Sequence, residues 1–166
     1  MEQTMNLKRL TTLALITAVN VAIARIFIIP MPLTHGYINL CDTGIVLAAL
    51  LFGSRAGGIV GALSGLLLDL IAGYPQYMIF SFLVHGLEGY AVGRIADTDS
   101  KQKTKMTIGI VVGVCIVVVG YFFVDTFLYN IQAGLFSIPG NIIQGSVGSL
   151  VALPLYWQLK KRVKLA

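Results

Sequence analysis

The chain has 166 residues, of which 57% are hydrophobic and 11% charged; its mean hydropathy is +0.85 and its net charge +5. A soluble domain typically carries about a quarter charged residues, so the composition excludes an ordinary cytosolic protein, a disordered chain and a disulfide-stapled secreted domain. The basic excess sits in short segments between or beyond apolar runs, which suits an anionic membrane surface and not nucleic acid.

A spanning helix needs about 20 apolar residues, so six would use about 120 and leave only loops and tails. The sequence predicts a single all-α integral membrane domain over 1–166, with helices at about 7–29, 41–52, 56–72, 77–95, 106–133 and 139–159. Strand alternation never persists for the ten or so residues a barrel strand needs, so helices are the spanning elements. Pro30 and Pro32 end the first segment, because proline lacks a donor and blocks the preceding turn. A loop from Pro30 to Leu40 follows, and the second segment is short for a full span. Gly53-Ser54-Arg55 turns the chain into the third segment, and Gly73-Tyr74-Pro75-Gln76 turns it into the fourth. A polar linker, Ala96 to Lys105, leads to the fifth; Gly134 and Pro139 are expected to bound the last loop. The first segment also admits a rival reading. Lys8-Arg9, an apolar stretch and Ala22-Ile23-Ala24 mimic a signal peptide, whose removal would leave five spans.

With six spans the termini share a side. That side holds Lys8, Arg9, Arg55, Arg94, Lys101, Lys103, Lys105, Lys160, Lys161, Arg162 and Lys164, against Arg25 alone on the other. The positive-inside rule then puts both termini in the cytoplasm.

Four acids, Asp42, Asp69, Glu88 and Asp125, lie within or at the rim of the spans. Such groups are costly in lipid and mark functional sites. At 1.5 Å per residue, Gln144 is about 8 Å from its outer helix end, His85 and Asp125 about 12 Å, and Glu88 about 16 Å. Polar groups therefore gather in the outer half, as a pocket open to one side requires. Helical spacing aligns Ser81, His85, Glu88 and Gly89 on the fourth segment. It aligns Tyr121, Asp125, Tyr129 and Gln132 on the fifth, and Asn141, Gln144, Gly145 and Gly148 on the sixth. Tyr74, Tyr77, Phe82 and Tyr121 offer aromatic contacts to a flat ring; His85, Glu88, Asp125, Asn141 and Gln144 offer donors and acceptors. His35, Tyr37 and Asn39 in the first loop, with Asp42 and Gln76 at the outer end, complete the candidate substrate site. The alternative role of each polar residue is hydrogen bonding between helices, and Asp42 and Asp69 could instead cap helices or pair with Arg25. Four acids against one Arg and one His leave charge that pairing inside the bundle does not neutralise.

Gly57, Gly61 and Gly65 recur every fourth residue and predict a close-packing face within the chain. Ala14, Ala18 and Ala22 do the same on the first segment. Cys41 and Cys115 form no metal-spacing motif, and Cys115 is expected to be buried. No catalytic residue, metal site or cofactor is expected: the chain has no phosphate-binding loop, no H-E-x-x-H and no serine or cysteine with a plausible basic partner.

In these features the chain resembles the substrate-binding S components of energy-coupling factor (ECF) vitamin transporters. The size and six spans match over nearly the whole length. Ala14, Ala18 and Ala22 match the alanine motif with which S components dock onto a shared transmembrane T component, and the loop after the first span matches the gating loop over the pocket. The stretch Gly36 to Asp42, then Phe52-Gly53, Gly57, Gly61, Asp69, Gly73-Tyr74-Pro75-Gln76 and His85-Gly86-Leu87-Glu88-Gly89, is similar to the hydroxymethylpyrimidine or pyridoxine subgroup. It departs from that subgroup at Cys41, where glycine is expected, and at His85, where lysine is frequent. The resemblance implies a non-enzymatic subunit in a prokaryotic plasma membrane. It would capture a vitamin from outside and deliver it through a T component and two ATPase subunits, the vitamin being substrate and not cofactor. An autonomous ion-coupled carrier, its buried acids serving as proton sites, is the competing class. An intramembrane enzyme is a third, disfavoured by the missing nucleophile and metal constellations.

Overall fold

The computed structural model describes residues 7–31, 34, 36–96 and 103–162. His35, Lys101 and Lys164 lie outside the described residues. The described chain forms α1 (Leu7–Ile26), a hairpin of β1 (Ile29–Met31) and β2 (Gly36–Ile38), then α2 (Cys41–Phe52), α3 (Ser54–Ala72), α4 (Met78–Ala96), α5 (Lys103–Leu128) and α6 (Ile131–Leu159). Four of these helices, α1, α3, α5 and α6, are long and apolar enough to cross a membrane. At 1.5 Å per residue the 12-residue α2 reaches only about 18 Å. It survives by lying inside the bundle against α1, α3, α4 and α6. Large apolar side chains such as Leu83, Phe123, Phe127 and Leu150 face outward, as lipid contact requires.

The helices run alternately up and down. Arg9 at the start of α1 donates to the Phe52 carbonyl at the end of α2, 3.2 Å away. Gly93 near the end of α4 lies against Ser54 at the start of α3. Arg55, Arg94, Lys103 and Lys160 therefore share one end of the bundle. The opposite end carries the hairpin, the Gly73–Tyr77 turn and the α5–α6 turn.

Glycines set the closest helix pair, α3 with α4. A Cβ on Gly61 would stand 2.0 Å from the His85 carbonyl oxygen, and one on Gly57 2.3 Å from that of Gly89. The glycine stripe is thus an internal packing face. Gly73 ends α3 in the left-handed region at φ +86°, where a side chain would be strained. Asn20 ties three helices together: its Nδ2 donates to the Cys41 carbonyl and to Ser64 Oγ, and its Oδ1 accepts from the Gly44 amide.

Several expectations change. The expected loop over 134–138 is helical, because α6 starts at Ile131 and is capped by Asn130, whose side chain accepts from the Ala133 amide at 2.9 Å. Pro139 lies inside α6, where its missing donor frees only the Leu135 carbonyl, a cost membrane helices tolerate. Gln132 consequently belongs to the exposed first turn of α6 and not to the polar face of α5. Cys115 is exposed, because α5 is apolar on every side and its buried face is instead marked by Gly109, Gly113 and Val117. The segment after α1, read as a plain loop, pairs as a short antiparallel hairpin with Pro30 opposite Tyr37. Pro30 fits there because a two-stranded ribbon has free edges.

Candidate functional site

A polar cavity opens at the end of the bundle away from the basic residues. Its walls come from the hairpin, the start of α2, the end of α3, the first turns of α4, the end of α5 and the first half of α6. Its volume is about 40 Å³.

The hairpin forms the outer wall and is held from three sides. Tyr37 donates to Asp69 Oδ1 on α3 at 2.5 Å. Burial, and then the neighbouring Asp69 charge, push the Tyr37 phenol up, so it remains a proton donor. The Tyr77 hydroxyl lies 3.0 Å from the Thr34 carbonyl and 2.6 Å from Asp125 Oδ1. Gln144 on α6 accepts from the Asn39 amide at 2.9 Å, and Asn39 Oδ1 in turn accepts from the Cys41 amide at the start of α2. Met31 packs where a Cβ on Gly140 would stand, closing the hairpin onto α6.

Deeper in, Ser81 and Tyr121 share a hydroxyl pair at 2.7 Å. His85 lies against Tyr121, their ring centroids 5.7 Å apart. Glu88 Oε2 engages His85 Nδ1 at 2.8 Å, which leaves Nε2 beside Cys41 Sγ at 3.7 Å. Cys41 Sγ also lies 3.6 Å from Asp42 Oδ2. Ligand-type atoms of Asp42, His85 and Glu88 all fall within 4.8 Å of one another. That spacing would suit a three-ligand cation site, in which a metal would compete with the existing His85–Glu88 contact.

Eight of the fourteen sequence-selected substrate candidates line this cavity: Tyr37, Asn39, Tyr77, His85, Tyr121, Asp125, Asn141 and Gln144. Glu88 and Asp42 lie fully buried behind His85 and Cys41. Tyr74 packs at a tilt against Tyr37, centroids 4.6 Å apart, without lining the cavity, and exposed Gln76 reaches Tyr129 at the rim. His35 falls outside the described residues. Phe82, selected as an aromatic contact, is 39% exposed on the outer face of α4, one residue off the polar stripe. Neither Asp42 nor Asp69 pairs with Arg25; Arg25 is exposed, and Cys41 and Tyr37 take the two acids. Sequence reasoning left Cys41, Ser137, Thr34 and Met31 out of the site. Ser137 was hidden by the misplaced loop before Pro139, and Thr34 and Met31 by the hairpin, which no alternating run announces.

A helical bundle with lipid-facing exterior and a polar cavity confined to one half is the form of a multi-pass membrane protein that binds a small solute. The model of the family described as ECF-type riboflavin transporter, S component, matches residues 4–161. The thiamine precursor transporter HmpT of Lactococcus lactis subsp. cremoris (strain MG1363) is 36% identical over 148 residues, covering 89% of this chain and 84% of that one. An uncharacterized protein in the gap 3' region of Pyrococcus woesei is 33% identical over 135 residues, covering 81% of this chain and 90% of that one. A solved structure of the S component of a bacterial ECF transporter superposes with a TM-score of 0.72 at 27% identity, covering 95% of this chain and 98% of that one. The chain belongs to the ECF transporter S-component family: it is a substrate-binding transporter subunit, not an enzyme.

Proposed function

We propose that this S component captures hydroxymethylpyrimidine, or a ring of similar size such as pyridoxine, from outside the cell. Transport is then powered by separate subunits, a T component and two ATPases, and the chain uses no cofactor of its own. The observation that carries this reading is the polar cavity at the end of the bundle opposite Arg55, Arg94, Lys103 and Lys160. With basic residues inside, that cavity faces outward and both termini are cytoplasmic.

Ring size favours a single-ring ligand over a tricyclic one. A cavity of roughly 150 Å³ holds one benzene. A cavity of about 40 Å³ must already expand to admit one ring. The precursor-transporting relative points the same way. Tyr77 and Tyr121 supply flat faces, while His85, Asp125, Asn141 and Gln144 supply polar edges.

For coupling, Ala14, Ala18 and Ala22 all lie exposed along α1, on a strip beside the face that buries Leu13, Thr17 and Val21. A flat strip of small residues lets another helix approach closely, and it is the surface on which a T component would dock. Reconstitution in liposomes tests the whole reading. Labelled hydroxymethylpyrimidine should accumulate only when T and ATPase subunits and ATP are supplied. Accumulation by the chain alone under an ion gradient would establish the autonomous carrier instead.

A further inference from the structure

Asp69 lines the cavity, is 4% exposed, and keeps one carboxylate oxygen without a partner. Tyr37 satisfies Oδ1, and Oδ2 has no hydrogen bond. Ser81 lies within hydrogen-bonding reach of the Asp69 carboxyl group and shares its hydroxyl with Tyr121, which leaves Oδ2 without a bond of good geometry. A buried acceptor left bare is costly, and a carboxylate is the costliest kind. Asp125, the second carboxylate of the cavity, is already bonded by Tyr77. The described lining contains no lysine or arginine. One feature favours an anion, the N-terminus of α2. There Asn39 already occupies the Cys41 amide, and Asp42 stands in the first turn.

We propose that Asp69 Oδ2 anchors a hydrogen-bond-donating nitrogen of the ligand, and that the cavity discriminates against phosphorylated forms of the same ring. This rests on the reading of the chain as a receptor for a small vitamin precursor. An amino group on a nitrogen heterocycle, or its protonated ring nitrogen, gives Oδ2 a charge-assisted bond. A phosphate ester brings negative charge into a site lined by two acids and, among the described residues, no lysine or arginine, where His85 is already engaged by Glu88, so little offsets its desolvation. The molecule the cavity admits is therefore the free alcohol.

Titration calorimetry on the detergent-purified chain tests this with hydroxymethylpyrimidine, its phosphate ester, pyridoxine and riboflavin. The wild type should bind the free alcohol at least about a hundredfold more tightly than its ester. Asp69→Asn should lose roughly ten- to hundredfold in affinity for the aminopyrimidine and narrow the gap to the ester. Equal wild-type binding of alcohol and ester overturns the proposal while leaving the receptor reading intact, and it can be measured even if the variant misfolds. A folded Asp69→Asn that binds the aminopyrimidine as the wild type does also overturns it. Binding of riboflavin alone, or of no compound, overturns the receptor reading on which it rests.

Discussion

At the residue scale the site is a set of hydroxyl–carboxylate and imidazole–carboxylate pairs sunk in hydrocarbon. Each pair satisfies a group that lipid could not. His85 and Glu88 show how position in the chain becomes geometry. They are three apart on α4, so they meet on one face, and Glu88 fixes the imidazole that lines the cavity. Glu88 acts through His85 and is a positioning residue. Glu88→Gln keeps the volume and replaces the carboxyl group that engages Nδ1 with an amide. Substrate affinity by calorimetry should fall about tenfold or more, with helix content by circular dichroism unchanged. Unaltered affinity would mean that His85 orientation does not matter to the ligand. The pair was legible in the sequence because spacing on a helix is a fixed rule. The Tyr37–Asp69 pair was not, since its partners are 32 residues apart and meet only through the hairpin.

At the element scale the α3–α4 contact and the hairpin decide the shape of the cavity. Gly61 faces the His85 carbonyl so closely that a methyl group must push the helices apart. Gly61→Ala should cost about 1–3 kcal/mol, the usual overpacking penalty, and weaken ligand binding by moving His85. Gly58 offers ordinary contact distances of 3.4 Å, so Gly58→Ala should be neutral or slightly stabilising. Thermal unfolding in detergent compares the two, and equal melting temperatures would contradict the close approach. The hairpin has few residues and depends on its side-chain ties to α3, α4 and α6. Limited proteolysis near Thr34 should slow when saturating ligand is added. Unchanged cleavage would make the hairpin an ordinary connector. The glycine stripe and most helix boundaries could be read directly. The α5–α6 turn could not, because Gly134 and Pro139 look like loop residues until Asn130 is recognised as the cap.

At the scale of the molecule, charge and polarity divide the bundle into two ends. Most basic residues hold one end and the cavity the other, with an exterior of large apolar side chains between. Composition alone announced the membrane, and the lysines and arginines announced the asymmetry. Burial of individual residues on α5 was not announced, because a helix apolar all round carries no periodic signal, and Cys115 was misjudged for that reason. The exposed alanine strip on α1 is separate from the cavity. Ala18→Trp should leave ligand binding by the isolated chain unchanged and abolish ATP-dependent uptake by the assembled transporter. Equal loss of both would place the strip inside the fold.

The central claim is that the isolated chain is itself the receptor. Native mass spectrometry of the purified protein, with hydroxymethylpyrimidine, pyridoxine and riboflavin supplied together, tests it most directly. The account predicts one single-ring ligand per chain, released with its mass unchanged. A chain that retains riboflavin in preference to both single-ring compounds, or that releases a chemically altered ligand, would contradict it.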